Sequence, residues 1–95
     1  MSEIRVYKFA GSFAENKDAA AKIRDELLIP SLDRGDEVTL DFDAVDFATQ
    51  SFVHAMLVKA VRENEVWLDR ILFTNCSEAV QGIIEIVVDY AQEVD

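Results

Sequence analysis

Asp41-Phe42-Asp43 sets two carboxylates one residue apart at the end of an apolar run, and carboxylate oxygens are the ligands that magnesium takes. A catalytic magnesium site needs more than one convergent carboxylate pair. The plainer reading is that Asp41 points to an open sheet face and Asp43 starts a turn. His54, the one histidine, and Cys76, the one cysteine, would form a base and a nucleophile if the fold joined them. Cys76 falls at the start of an expected helix, where the helix dipole lowers a thiol pKa, although a small cysteine beside a cap is more often a packing residue. The chain has no Gly-rich phosphate loop and no Cys/His set at zinc spacing. A last cluster, Thr49-Gln50-Ser51, interrupts an apolar run where a strand hands over to a helix. Ser51 lies within about a turn of that helix start, where unpaired N–H groups and the positive end of the dipole gather. The fold would tolerate a phosphoserine there, and an exposed surface would gain charge. The commoner role is a cap, supplied by Thr49 or Ser51.

These residues need elements to hold them. Ile4 to Phe9 is β-branched and aromatic and stops at Gly11, which predicts a first strand. Ser12 and Glu15 have capping-box spacing, and Ala20, Ile23 and Leu27 follow on one helical face, with Lys22, Arg24, Asp25 and Glu26 mostly outward. Pro30 closes this helix or its last turn, and Asp33-Arg34-Gly35-Asp36 reads as a turn. Val38, Leu40 and Phe42 alternate with Thr39, Asp41 and Asp43, the pattern of a strand with one buried and one wetter face. The period then changes: Phe52, Val53, Met56, Leu57, Ala60 and Val61 share one side of a helix ending near residues 62–65. Arg70 to Thr74 reads as the third strand. Asn75 and Glu78 have cap spacing for a last helix whose apolar face is Val80, Ile83, Ile84, Val87 and Ala91.

The order is βαβαβα, an α/β domain with a mainly parallel sheet joined by right-handed crossovers. The polar face of the second strand puts the helices mostly on one side. The other face, expected to carry Tyr7 and Thr39, is left partly open for self-association or docking. Ninety-five residues, half of them hydrophobic, with three glycines and one proline, make a single packed domain over 1–95. Nineteen acids against nine bases leave a formal charge of −10 and no basic run to displace phosphate counterions, so nucleic acid is not an expected partner. Such acidity suits a basic or mixed-charge protein partner, or serves solubility. Met1-Ser2-Glu3-Ile4-Arg5 does not read as a secretory leader, and no segment approaches the ~20 apolar residues of a membrane span. A lone cysteine agrees with a reducing cytoplasm.

Two resemblances bear on these residues. Asp41-x-Asp43 at a strand end resembles the first motif of haloacid-dehalogenase-like phosphatases, in which one carboxylate attacks phosphorus and magnesium bridges the other. That family also needs a later acidic pair, whereas Thr74-Asn75-Cys76 follows the third strand here. A small magnesium-dependent hydrolase using Asp41 and Asp43 is therefore the alternative reading. Over a far longer span, Tyr7 to Tyr90, the chain resembles STAS domains, the fold of bacterial anti-sigma factor antagonists. "VTLDFDAVDFATQSF" is similar to their central segment, with Asp41, Val45 and Phe47 on the framework and Ser51 on the phosphorylatable position. The likeness is greater still to a STAS-like prokaryotic family of unknown function, through Thr49-Gln50-Ser51-Phe52 and "LDRILFTNCSEAVQGIIEIVVDY".

The resemblance implies a non-catalytic protein-binding module without a cofactor or metal. It also implies a histidine-kinase-like ATPase or an anti-sigma factor as partner, a homodimer being a further possibility. Asp46, Thr49, Gln50, Ser51 and His54 are the expected contact residues, with Ser51 the candidate phosphorylation switch. Phe52 departs from the glycine usual after the phosphoacceptor, and only one strand precedes the first helix where STAS domains have more.

Overall fold

The computed structural model describes residues 2–92. Strands β1 (Ser2–Arg5), β3 (Val38–Asp41) and β5 (Ile71–Thr74) form a parallel sheet in the order β1-β3-β5. The register aligns Ile4 with Leu40 and Phe73, and Ser2 with Val38 and Ile71, so these residues share the inner face. Val38 and Leu40 are fully buried, as is Phe42 just beyond the strand. Glu3, Thr39 and Leu72 align on the outer face, as do Arg5, Asp41 and Thr74. Of these, Glu3, Arg5, Leu72 and Thr74 are exposed, so the described residues leave the face opposite the core uncovered. Helices therefore pack on one side, as the alternation in β3 predicts.

The first strand is shorter than its composition suggests. Val6 donates the last sheet bond, to the Asp41 carbonyl at 3.0 Å, and the chain then winds into the helical turn α1 (Tyr7–Ala10). Continued extension would alternate Ile4, Val6 and Lys8 inward and leave Phe9 out. The turn instead lays Phe9 and Ala10 against the core and leaves Lys8 in water. Tyr7 consequently stands on this turn and not on the open sheet face; Thr39 is on that face.

No capping box forms at Ser12. Phe13–Ala14 is a short strand, β2, paired in parallel with β4 (Phe47–Ala48), and the Ser12 carbonyl accepts from the Asp46 N–H at 2.8 Å. Helix α2 (Lys17–Lys22) starts later and is capped by Asn16, whose Oδ1 accepts from the N–H groups of Asp18 and Ala19. A π segment, Ile23–Leu28, continues it into α3 (Ile29–Asp33). In that segment the Ile29 N–H reaches back five residues to the Arg24 carbonyl. The wide turn moves the buried position after Ile23 from Leu27, which is only half-buried, to Leu28, which is fully buried. It also absorbs Pro30, which has no N–H to give the preceding turn and so sits inside the helix instead of ending it. Arg34 and Gly35 (φ +91°) then make the expected turn into β3.

Helix α4 (Gln50–Glu63) buries every apolar residue assigned to its face, and Val58 besides. A 3-10 segment, Glu65–Arg70, leads into β5 and buries Trp67. Helix α5 (Glu78–Gln92) buries Val80, Ile84, Val87 and Ala91. Its cap is Ser77, whose Oγ accepts from the Val80 N–H at 3.1 Å. Asn75, expected in that role, is instead in the left-handed conformation (φ +56°) and donates its amide to Asp41.

Candidate functional site

Asp41, Asp43, Asp46 and Cys76 lie at the carboxyl end of the parallel sheet, the edge where loops and helix starts meet, whereas His54 lies further along α4. Asp41 ends β3. Its Oδ1 accepts from the Asp43 N–H and from the Asn75 amide, both at 2.9 Å. The Asn75 amide, helped by the Asp43 N–H, holds the Asp41 carboxyl below the usual carboxylate range. Phe42 donates to the Thr74 carbonyl at 2.9 Å, and Val45 closes a turn on Phe42 with Ala44 at φ +70°. Asp41 thus serves as the hinge pin of two loops. Asp43 is exposed, and its N–H is spent on the Asp41 carboxylate. Among the described residues no group of three or more His, Cys, Asp or Glu converges as a metal site would require.

Cys76 and His54 are not brought together. The Cys76 thiol lies 3.8 Å from the Thr74 carbonyl, just before α5. Burial, and then the Asp41 carboxylate, push its pKa up, the reverse of an activated thiolate. His54 packs its ring 5.5 Å from that of Tyr90, which lies about 18 Å along α5 from Glu78 at the rise of an α-helix.

The segment from Asp46 to Ser51 is fixed by its backbone. The Asp46 N–H donates to the Ser12 carbonyl, and its own carbonyl accepts from the Ser77 hydroxyl at 3.1 Å, while the residue is exposed. The Thr49 N–H donates to the Ala14 carbonyl at 2.9 Å, while its Oγ1 accepts from the Phe52 N–H at 3.1 Å. Thr49 is therefore the cap of α4. Phe52 faces inward and is fully buried, so its bulk does not cover Ser51. Ser51 is exposed in the first turn of α4, with no hydrogen bond from its hydroxyl among the described residues. It lines a shallow depression of about 330 Å³ together with Lys17, Gln50, His54 and Ala55.

Two features of this region escape sequence reasoning. Phe13 and Phe47 stack with ring centroids 5.3 Å apart and stand half-exposed, because the β2–β4 ladder sets them side by side. A two-residue strand has no period by which it could be found. Lys17 comes to Ser51 across that same ladder, which joins the approach to α2 with the approach to α4.

Comparison with curated proteins and with solved structures returns no match. Residues 19–81 match the family model described as a STAS-like domain of unknown function (DUF4325). That span is about two-thirds of the chain and runs from α2 through β3, β4, α4 and β5 into the first turn of α5. On that match the chain belongs to the STAS-like family of unknown function.

Proposed function

We propose that this STAS-like domain is a non-catalytic regulatory module that docks a partner protein on the surface formed by Asp46, Thr49, Gln50, Ser51 and His54. A histidine-kinase-like ATPase that phosphorylates Ser51, or an anti-sigma factor, is the partner type this reading expects. The observation that carries it is the division of labour at the start of α4. Thr49 makes the capping bond and Phe52 fills the core, which leaves the Ser51 hydroxyl exposed and without a structural task among the described residues. A phosphate there would lie by the N-terminal end of a fourteen-residue helix, with Lys17 and His54 lining the same depression. The added charge of nearly −2 would be tolerated by the fold while changing what the surface can bind.

A tagged pull-down from the native cells, with the bait analysed by intact mass and peptide mapping, tests this reading. Recovery of a partner with phosphate on Ser51, and loss of that partner from Ser51→Asp but not Ser51→Ala, is the expected result. A partner held equally by Ser51→Asp and by Asp46→Lys would exclude this surface. A partner lost from Asp46→Lys but indifferent to Ser51→Asp would keep the docking surface and remove the switch.

A further inference from the structure

The buried face of α5 is completed by Val80, Ile84, Val87 and Ala91, yet the helix carries a second apolar row. Ala79, Gly82, Ile86 and Tyr90 recur at spacings of three and four along one outer flank. All four are exposed, Ile86 and Tyr90 by 50% and 48%. Glycine within a helix weakens it relative to alanine. At Gly82 an added Cβ would meet nothing within 4 Å, so no contact among the described residues calls for glycine there. The result is a notch between Ala79 and Ile86, of the kind a facing side chain enters when helices pack. Beside the row runs a ridge of exposed acids, Glu78, Glu85 and Asp89, and among the described residues none of them is in a salt bridge. At the far end the Tyr90 ring is held by His54 and by the Arg62 guanidinium, 5.1 Å from its centroid.

We infer that the Ala79–Gly82–Ile86–Tyr90 flank of α5 is a docking surface for a cationic amphipathic helix of a partner protein. Apolar side chains of the partner at three- and four-residue spacing fill the notch and cover Ile86 and Tyr90, while its lysines or arginines meet the acid ridge. A second copy of the chain is the wrong occupant. An antiparallel α5–α5 pair would bring acid ridge against acid ridge, and any such pair would join two chains of formal charge −10, so like charges oppose it. The surface does not rest on phosphorylation of Ser51 and is carried by a helix lying largely beyond the family-matched residues.

Two synthetic peptides of one leucine–lysine composition provide the test. One has leucine at helical i, i+3, i+4, i+7 spacing, and the other has the same residues scrambled. Each is titrated into the isotope-labelled full chain and followed by amide shifts. The patterned peptide is expected to bind about tenfold or more tightly than the scrambled one, with shifts at Ala79, Gly82, Ile86 and Tyr90. Ile86→Asp should weaken it about tenfold. Gly82→Ala should also weaken it while raising the melting temperature, a pair of effects that a merely structural glycine does not produce. Absence of binding by the patterned peptide, or equal affinity for both with shifts spread over the acidic surface, overturns the inference. So does concentration-dependent dimerisation of the free chain in sedimentation that Ile86→Asp abolishes, because the occupant is then a second copy.

Discussion

Replacing Thr49 by alanine removes the 3.1 Å hydrogen bond from the Phe52 N–H to Oγ1 and leaves that donor unpaired at the start of α4. Loss of such a cap costs about 1 kcal/mol, within a range of roughly 0.5 to 2. For a domain of this size that lowers the melting temperature by about 4 to 8 °C. Ser51→Ala should behave differently. The hydroxyl it removes is exposed and has no hydrogen bond among the described residues, and alanine is the better helix former, so stability should stay within about 0.5 kcal/mol or rise slightly. Ser51→Asp should also be neutral or stabilising, by about 0.3 to 1 kcal/mol, because a negative charge in the first turn opposes the helix dipole favourably. Thermal and urea unfolding of the three variants, followed by circular dichroism under one buffer condition, reads all three quantities. If Ser51→Ala cost as much as Thr49→Ala, Ser51 would be a structural cap, and the case for a hydroxyl left free for modification would collapse.

Three further outcomes are expected. Ala44→Gly should stabilise the fold by about 0.5 to 1 kcal/mol, since alanine at φ +70° carries left-handed strain that glycine lacks; a lower melting temperature would contradict this. Asn75→Gly keeps a residue suited to φ +56° but deletes the amide on Asp41, so in an NMR titration the Asp41 carboxyl should move up toward its ordinary value. Because the folded-state pKa of Asp41 is depressed, its contribution to stability is present above the unfolded carboxylate value and fades as pH falls through the folded one. The acid limb of unfolding should therefore be shallower in the variant. Finally, Leu28→Ala should cost about 2 to 5 kcal/mol by opening a cavity, and Leu27→Ala clearly less, a contrast that urea unfolding resolves.

Elements with a strong period were legible in the chain itself. Val38, Leu40 and Phe42 alternate because β3 has one buried face, and the apolar positions of α4 and α5 repeat because each helix buries one stripe. Helix starts were less legible, since Ser12, Asn16, Asn75 and Ser77 are all good caps by type. Asn16 and Ser77 cap helices in the structure, while Ser12 lends its carbonyl to Asp46 and Asn75 its amide to Asp41. A side chain that can cap a helix can equally brace a loop.

Local pattern therefore determined the parallel α/β architecture, the burial of Phe52 and the presence of a polar helix start at Thr49–Ser51, because each depends on residues near in sequence. Which hydroxyl makes the cap depended on the whole molecule. Thr49 is tethered by its N–H to Ala14, a residue brought in by the β2–β4 ladder, and that tether holds its hydroxyl over the Phe52 N–H. The separation of Cys76 from His54, the pairing of Asp41 with Asn75 and the stacking of Phe13 on Phe47 were likewise decided only by tertiary structure. Each depends on where two segments far apart in sequence come to rest, and that is set by packing around a shared core, not by the composition of either segment.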